Sequence, residues 1–153
     1  MKIDSLEPEF KSKVVALMAE LLDETGYNWA ITQSRRTIAY QDALFAQPTD
    51  GKDNDNDGRV DEPDEFVTRA RGGQSAHNFD MGADLVPIKN GKEWWGAPRS
   101  VWLKMGEAAE KHGLVWGGRW VKLFPPNGDM PHIQDPKWKE RQALWKAGKL
   151  DVA

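Results

Sequence analysis

Two imidazoles and one carboxylate, those of His77, Asp84 and His132, are the side chains of this sequence best suited to chemistry. His77 and Asp84 fall within Ser75-Ala76-His77-Asn78-Phe79-Asp80-Met81-Gly82-Ala83-Asp84, and His132 ends a distant Asp129-Met130-Pro131-His132. Neutral imidazole and ionised carboxylate are donors that zinc accepts near neutral pH, and three of them leave the fourth position open for water. An ion so held acidifies that water. Asp129 is placed to accept the proton and pass it to a leaving amine. Spacing alone leaves a second reading open, in which the histidines are buried, hydrogen-bonded structural groups. His112 is read in that second way, because it ends a helix beside Gly113, where a cation offsets the helix dipole.

A second constellation is acidic. Asp53-Asn54-Asp55-Asn56-Asp57-Gly58-Arg59-Val60-Asp61-Glu62-Pro63-Asp64 follows the EF-hand calcium loop. Oxygen donors stand at positions 1, 3, 5, 9 and 12 (Asp53, Asp55, Asp57, Asp61 and Asp64), glycine at 6, and Arg59 at 7, where the backbone carbonyl is the ligand. Clustered carboxylates repel one another unless a hard cation sits among them. The competing reading is a solvated acidic loop. Asp64 has a shorter arm than the usual Glu, and Glu65 is a substitute for it. Ala46-Gln47-Pro48 breaks any helix leading in, so a calcium loop here is an insertion within another fold.

The elements that must position these groups follow from hydrophobic spacing. Phe10, Val14, Leu17, Met18, Leu21 and Leu22 predict a helix over 7–24, stopped by Gly26. Trp29–Thr32 reads as a strand and 37–46 as a second helix. A turn over 72–76 precedes a strand, 84–86, ended by Pro87. Val101, Trp102, Met105 and Ala109 predict a helix over 98–112 with Gly113 as its stop. Trp116-Gly117-Gly118-Arg119-Trp120 is a glycine-hinged turn, and 137–147 is a last helix with Trp138, Leu144 and Trp145. Pro131 favours an extended backbone before His132. Helices at both ends with short strands between predict α+β: a single domain over 1–153, with a small antiparallel sheet carrying the zinc site and the acidic insertion at 50–65.

Composition excludes other classes. The 153 residues contain no Cys, so disulfides and thiolate metal sites are ruled out. Residues 50–65 hold eight acids against two bases in a chain of formal charge −3, so the remainder is only mildly basic. That balance argues against nucleic acid but tolerates an anionic polymer. No apolar stretch reaches the ~18 residues of a membrane span. The first residues lack an apolar run of the secretory kind, which predicts a soluble chain made in the cytoplasm.

Ser75-x-His77, Asp84, Trp116-Gly117-Gly118 and Asp129-x-Pro131-His132 together resemble the D-alanyl-D-alanine carboxypeptidase/dipeptidase family of zinc peptidases. The resemblance runs from about residue 29 to 134 and is nearest to the phage branch, the L-alanyl-D-glutamate peptidase endolysins. Arg36-Thr37 with Gln41 and Leu44 matches that family's Arg-Ser…Gln…Leu segment, and Val67-Thr68 with Gly73-Gln74-Ser75 matches the approach to its first ligand. The resemblance implies zinc on His77, Asp84 and His132, Asp129 as catalytic base, Arg36 on the oxyanion or substrate, and a supporting hydrogen bond from Ser75. Two positions depart from the pattern: Asp80 replaces a glycine and Gly82 an alanine. If that glycine has positive φ, Asp is among the few tolerable substitutes. Asp80 also brings a carboxylate that could compete for the metal, and Gly82 is expected to cost backbone entropy only.

The expectation is therefore a monomeric zinc peptidase that cuts the L-Ala–D-Glu bond of bacterial peptidoglycan, with calcium as a structural or regulatory ion. It would be held in the host cytoplasm and act on the periplasmic wall once the membrane is breached. Rival readings are a D-Ala-D-Ala carboxypeptidase or dipeptidase on the same fold, and a non-catalytic, calcium-dependent wall-binding module.

Overall fold

The computed structural model describes residues 2–153. Helix α1, Pro8–Thr25, buries Phe10, Val14, Leu17 and Leu21 along one stripe and ends at Gly26 with φ +72°. Leu22 lies off that stripe and is exposed. Strand β1, Asn28–Gln33, follows, and then helix α2, Ile38–Ala46, capped by the Thr37 side chain on the Tyr40 N–H. After the acidic segment come β2, Gly82–Lys89, and β3, Lys92–Glu93. Helix α3, Arg99–Lys111, buries Trp102, Met105, Ala108 and Ala109. Strands β4, Val115–Trp116, and β5, His132–Gln134, precede helix α4, Trp138–Lys146.

The sheet has the order β1-β2-β5-β4, with β3 on the far end of β2, and every pairing is antiparallel. Strand β2 does not end at Pro87 as its sequence suggests. It runs through the proline, which pairs opposite Trp29, and the Pro87 carbonyl accepts the Trp94 N–H. One cluster of buried side chains joins α1, the sheet, α3 and α4. Trp29 and Trp102 pack edge to face within it at 5.9 Å, and Trp145 packs against its border. The inward face of α4 is set by Trp138 and Gln142, one turn apart, so Leu144 points outward and is 45% exposed. No helix among the described residues is long and apolar enough to cross a membrane.

His112 ends α3 as the sequence suggested, and its Nε2 also meets the Glu20 carboxylate on α1 at 2.7 Å, a tie between two helices that the sequence did not show. Lys13 on α1 makes a 2.8 Å ion pair with Asp135, whose side chain is fully buried just beyond β5. That partner raises the Lys13 pKa against the opposing effect of burial.

Candidate metal centre and its cleft

In the register of β2 against β5, Asp84 lies directly opposite His132. Cross-strand partners point to the same face, so the pairing alone brings carboxylate and imidazole together. His77 arrives differently. It sits on a single 3-10 turn, Ala76–Phe79, rather than on the sheet, so two of the three groups are carried by strands and the third by a helical turn. One donor atom from each of the three lies within 4.8 Å of the others.

Outer partners fix which ring nitrogens face inward. His77 Nδ1 is 2.6 Å from the Ser34 carbonyl, which only accepts, so Nδ1 carries the proton and the Nε2 lone pair faces Asp84 at 3.4 Å. His132 Nε2 is 2.8 Å from Gln134 Oε1, which leaves Nδ1 toward Asp84 at 3.1 Å. These contacts orient a ligand set and set its tautomers. Burial holds the His77 imidazole below its ordinary pKa, against the pull of Asp84. For Asp84 burial acts upward, but hydrogen bonds with His132 and His77 outweigh it and keep the carboxyl well below the usual range. Burial lowers His132 while the Asp84 carboxylate raises it, and the carboxylate prevails. The arrangement therefore favours positive charge at its centre. Two nitrogens and one oxygen at this spacing suit zinc better than the oxygen-seeking calcium or magnesium.

Ser75 supports the turn as expected: its Oγ accepts the His77 N–H at 3.3 Å. Asn78, which sequence reasoning passed over, does more. Its Oδ1 accepts the Gly73 and Ser75 N–H groups, and its Nδ2 donates to the Arg36 and Thr37 carbonyls. Arg36 N–H in turn donates to the His77 carbonyl. Gln134 was also missed, although its position two residues after His132 puts both on one face of a strand.

The two departures resolve clearly. Asp80 has φ +62°, the left-handed region where glycine or Asp fits. Its carboxylate is clamped by Arg35 at 2.7 and 2.8 Å and does not compete for the metal position. Gly82 does more than cost entropy: a Cβ there would stand 2.9 Å from the His77 backbone nitrogen, so glycine is what lets β2 start so close to the ligand turn.

A cavity of about 500 Å³ opens over the three groups. Asp129 and Arg36 both line it. Asp129 is half-buried, and burial raises its carboxyl pKa, with His132 opposing and Asp84 adding to the rise. Its carboxylate has no hydrogen-bond partner among the described residues. The Arg36 guanidinium lies 3.6 Å from Asp84, with Gln33 and the buried Gln41 each at 3.4 Å. The turn that presents Asp129 depends on Gly117, where a Cβ would lie 2.4 Å from the Asp129 carbonyl and 3.1 Å from the His132 Cβ.

The acidic segment closes on itself away from these groups. Carboxylates of Asp53, Asp55 and Asp57 converge, as do those of Asp57, Glu62 and Asp64. Asp61, expected among the donors, instead accepts the Gly51 N–H at 2.7 Å, and Glu62 takes a place in the cluster. Arg59 places its guanidinium on Glu62 at 3.1 Å. Glu65 is buried and accepts the Asn54 and Glu62 N–H groups, so it pins the loop rather than serving as a spare donor.

Comparison with known proteins agrees with this geometry. Residues 68–135 match the family model described as D-alanyl-D-alanine carboxypeptidase, a span that includes His77, Asp84, Asp129 and His132. Over 137 residues the chain is 31% identical to the peptidoglycan L-alanyl-D-glutamate endopeptidase CwlK of Bacillus subtilis, covering 84% of this chain and 72% of the relative. Two solved structures share the fold. The LD-carboxypeptidase LdcB superposes with a TM-score of 0.62 at 16% identity, over 94% of this chain and 64% of that one. The vancomycin resistance D,D-pentapeptidase VanY, solved in complex with Zn(II), gives 0.60 at 11% identity, over 94% and 79%. With the metal-binding geometry, the matched motif span and a relative alike over most of both chains in agreement, this chain belongs to the D-alanyl-D-alanine carboxypeptidase family of metallopeptidases.

Proposed function

We propose that the chain is a zinc peptidase that hydrolyses the L-Ala–D-Glu bond of peptidoglycan stem peptides. The observation that carries the chemistry is the pair of inward-facing ring nitrogens, His77 Nε2 and His132 Nδ1, converging with Asp84 at the base of a cleft. The choice of bond rests on likeness to the Bacillus endopeptidase. Held by these three side chains, zinc supplies Lewis-acid chemistry toward carbonyl and water. Asp129, free of other partners, accepts a proton from the attacking water and delivers it to the amine nitrogen as the C–N bond breaks. Its burial-raised pKa suits both halves of that transfer. Arg36, at the cleft wall, stabilises negative charge developing on the carbonyl oxygen.

Digestion of purified peptidoglycan, read by mass spectrometry, tests the bond. Release of peptides beginning with D-Glu, leaving L-Ala on the glycan, is the expected result. Loss of a terminal D-Ala would instead assign a carboxypeptidase. Elemental analysis should find one zinc per chain, lost in His77→Ala. Asp129→Ala should keep the zinc and lose hydrolysis, whereas a binding module would be indifferent to it.

The wider biological reading, a phage endolysin that reaches the periplasmic wall after membrane permeabilisation, rests on the motif string's likeness to that branch. Its test is clearing of permeabilised Gram-negative cells. For the acidic loop we infer a calcium site, supported by the two converging carboxylate groups and the central Gly58 with φ +93°. Calcium titration followed by calorimetry should show one site in the native chain and none after combined Asp53→Ala and Asp55→Ala.

A further inference from the structure

Six ionisable side chains line the cleft, and five of them, Arg36, His77, Asp84, Asp129 and His132, belong to the machinery above. The sixth is Arg69. Its guanidinium lies 5.3 Å from the Phe66 ring centre and 5.8 Å from that of Phe124. Its Nε donates to the Leu123 carbonyl at 3.1 Å. Two aromatic rings and a carbonyl, drawn from segments more than fifty residues apart, therefore hold the plane of the fork. No carboxylate pairs with it among the described residues, and its terminal nitrogens make no hydrogen bond there. Asp61 lines the small recess on which Arg69 also borders, but its Oδ1 is taken by the Gly51 N–H. An oriented guanidinium with free terminal nitrogens is a receptor for a planar, bidentate carboxylate.

The proposed substrate offers that group. In a stem peptide D-glutamate continues the chain through its γ-carboxyl, so its α-carboxylate stays free, two bonds from the nitrogen released on hydrolysis. Arg36 is assigned above to the carbonyl oxygen of the scissile bond, which leaves the α-carboxylate to the other arginine of the cleft. We propose that Arg69 is a specificity-determining residue that receives the α-carboxylate of the D-glutamate on the leaving side of the scissile bond. The proposal rests on the bond assignment above.

Two matched stem peptides test it, one with D-glutamate and one with D-isoglutamine, whose α-carboxylate is an uncharged amide. The native enzyme should favour the acid by roughly 10- to 100-fold in kcat/KM, the range of a charge-assisted hydrogen-bonded pair. R69A should bring the ratio of the two substrates close to one. R69K keeps the charge but not the fork and should give an intermediate ratio. Unfolding midpoint and zinc content of each variant check that the fold is intact, and R69Q provides the same comparison if R69A does not fold. Equal rates on both peptides by the native enzyme, or a loss in R69A that is the same for both, would overturn the role of Arg69 while leaving the bond assignment standing. Failure of the native enzyme to cut either peptide between L-Ala and D-Glu would overturn the bond assignment, and Arg69's role with it.

Discussion

His77 and His132 turn different ring nitrogens toward Asp84, and that difference depends on two acceptors outside the three-residue cluster. The Ser34 carbonyl cannot be removed by substitution, but Gln134 can. Gln134→Leu leaves His132 Nε2 without its 2.8 Å acceptor, so the ring is free to rotate and to change tautomer. Zinc affinity should fall about 10- to 100-fold, as is typical when a ligand loses its outer partner, and competition with a chromogenic chelator measures it. Asp129→Asn should act on rate alone: kcat should fall by roughly 10²- to 10⁴-fold, the contribution of a positioned general base, with zinc still bound. That His77, Asp84 and His132 would converge, with Asp129 in the same cleft, was legible in the sequence because their residue types and spacing suit one chemistry. Ser34 was not, since a main-chain carbonyl leaves no trace in residue identity. Asp80 was half legible: its tolerance of positive φ could be foreseen, but its clamp by Arg35 depends on a contact across forty-five residues.

Helices were read more surely than strands, and the reason is periodicity. The stripe Phe10, Val14, Leu17, Leu21 repeats over about three turns of α1, whereas β4 and β5 hold two and three residues and offer almost no pattern. Strand β5 is nonetheless the element that delivers His132, and only its register against β2 explains why His132 meets Asp84. The 3-10 turn that carries His77 is likewise held by one side chain. Asn78 is 2% exposed and uses both ends of its amide to tie the turn to the start of α2. Asn78→Ala strands buried N–H and carbonyl groups, at a cost of about 1–3 kcal/mol for the desolvated partners. The thermal midpoint should drop by several degrees, and activity should fall further than stability alone accounts for, because Arg36 and His77 share this tether. Just beyond β5, Lys13→Ala leaves Asp135 buried without its ion pair, and breaking such a pair costs about 3–5 kcal/mol when both groups are fully buried, less here because Lys13 is partly exposed. Since the folded-state pKa of Lys13 is raised, its contribution is fully present below the unfolded value of a lysine and is lost as pH climbs through the folded one. A chemical denaturation series from neutral pH into the alkaline range should therefore show the native protein converging on the variant only at the alkaline end.

The acidic segment and the cleft are joined by a short stretch of chain. Glu65 pins the loop from inside through the Asn54 and Glu62 N–H groups, the next residue, Phe66, lies beneath the Arg69 guanidinium, and Thr68 and Ala70 are held by the buried Gln41, which also contacts Arg36. Contacts from the loop thus lead into the wall of the cleft rather than to His77, Asp84 and His132, which hang from the sheet and the His77 turn. Eight acids in sixteen residues oppose that order unless a cation offsets them. If calcium supplies the offset, its removal should raise KM and lower kcat/KM while zinc content stays at one per chain. A chelator selective for calcium over zinc, followed by steady-state kinetics and elemental analysis, separates the two effects. Glu65→Ala cuts the internal pin without touching Asp53, Asp55 or Asp57, so it should reproduce the raised KM even in saturating calcium. Full rescue of Glu65→Ala by calcium, or loss of zinc alongside calcium, would show that the loop acts on the centre by another route than the 66–70 wall.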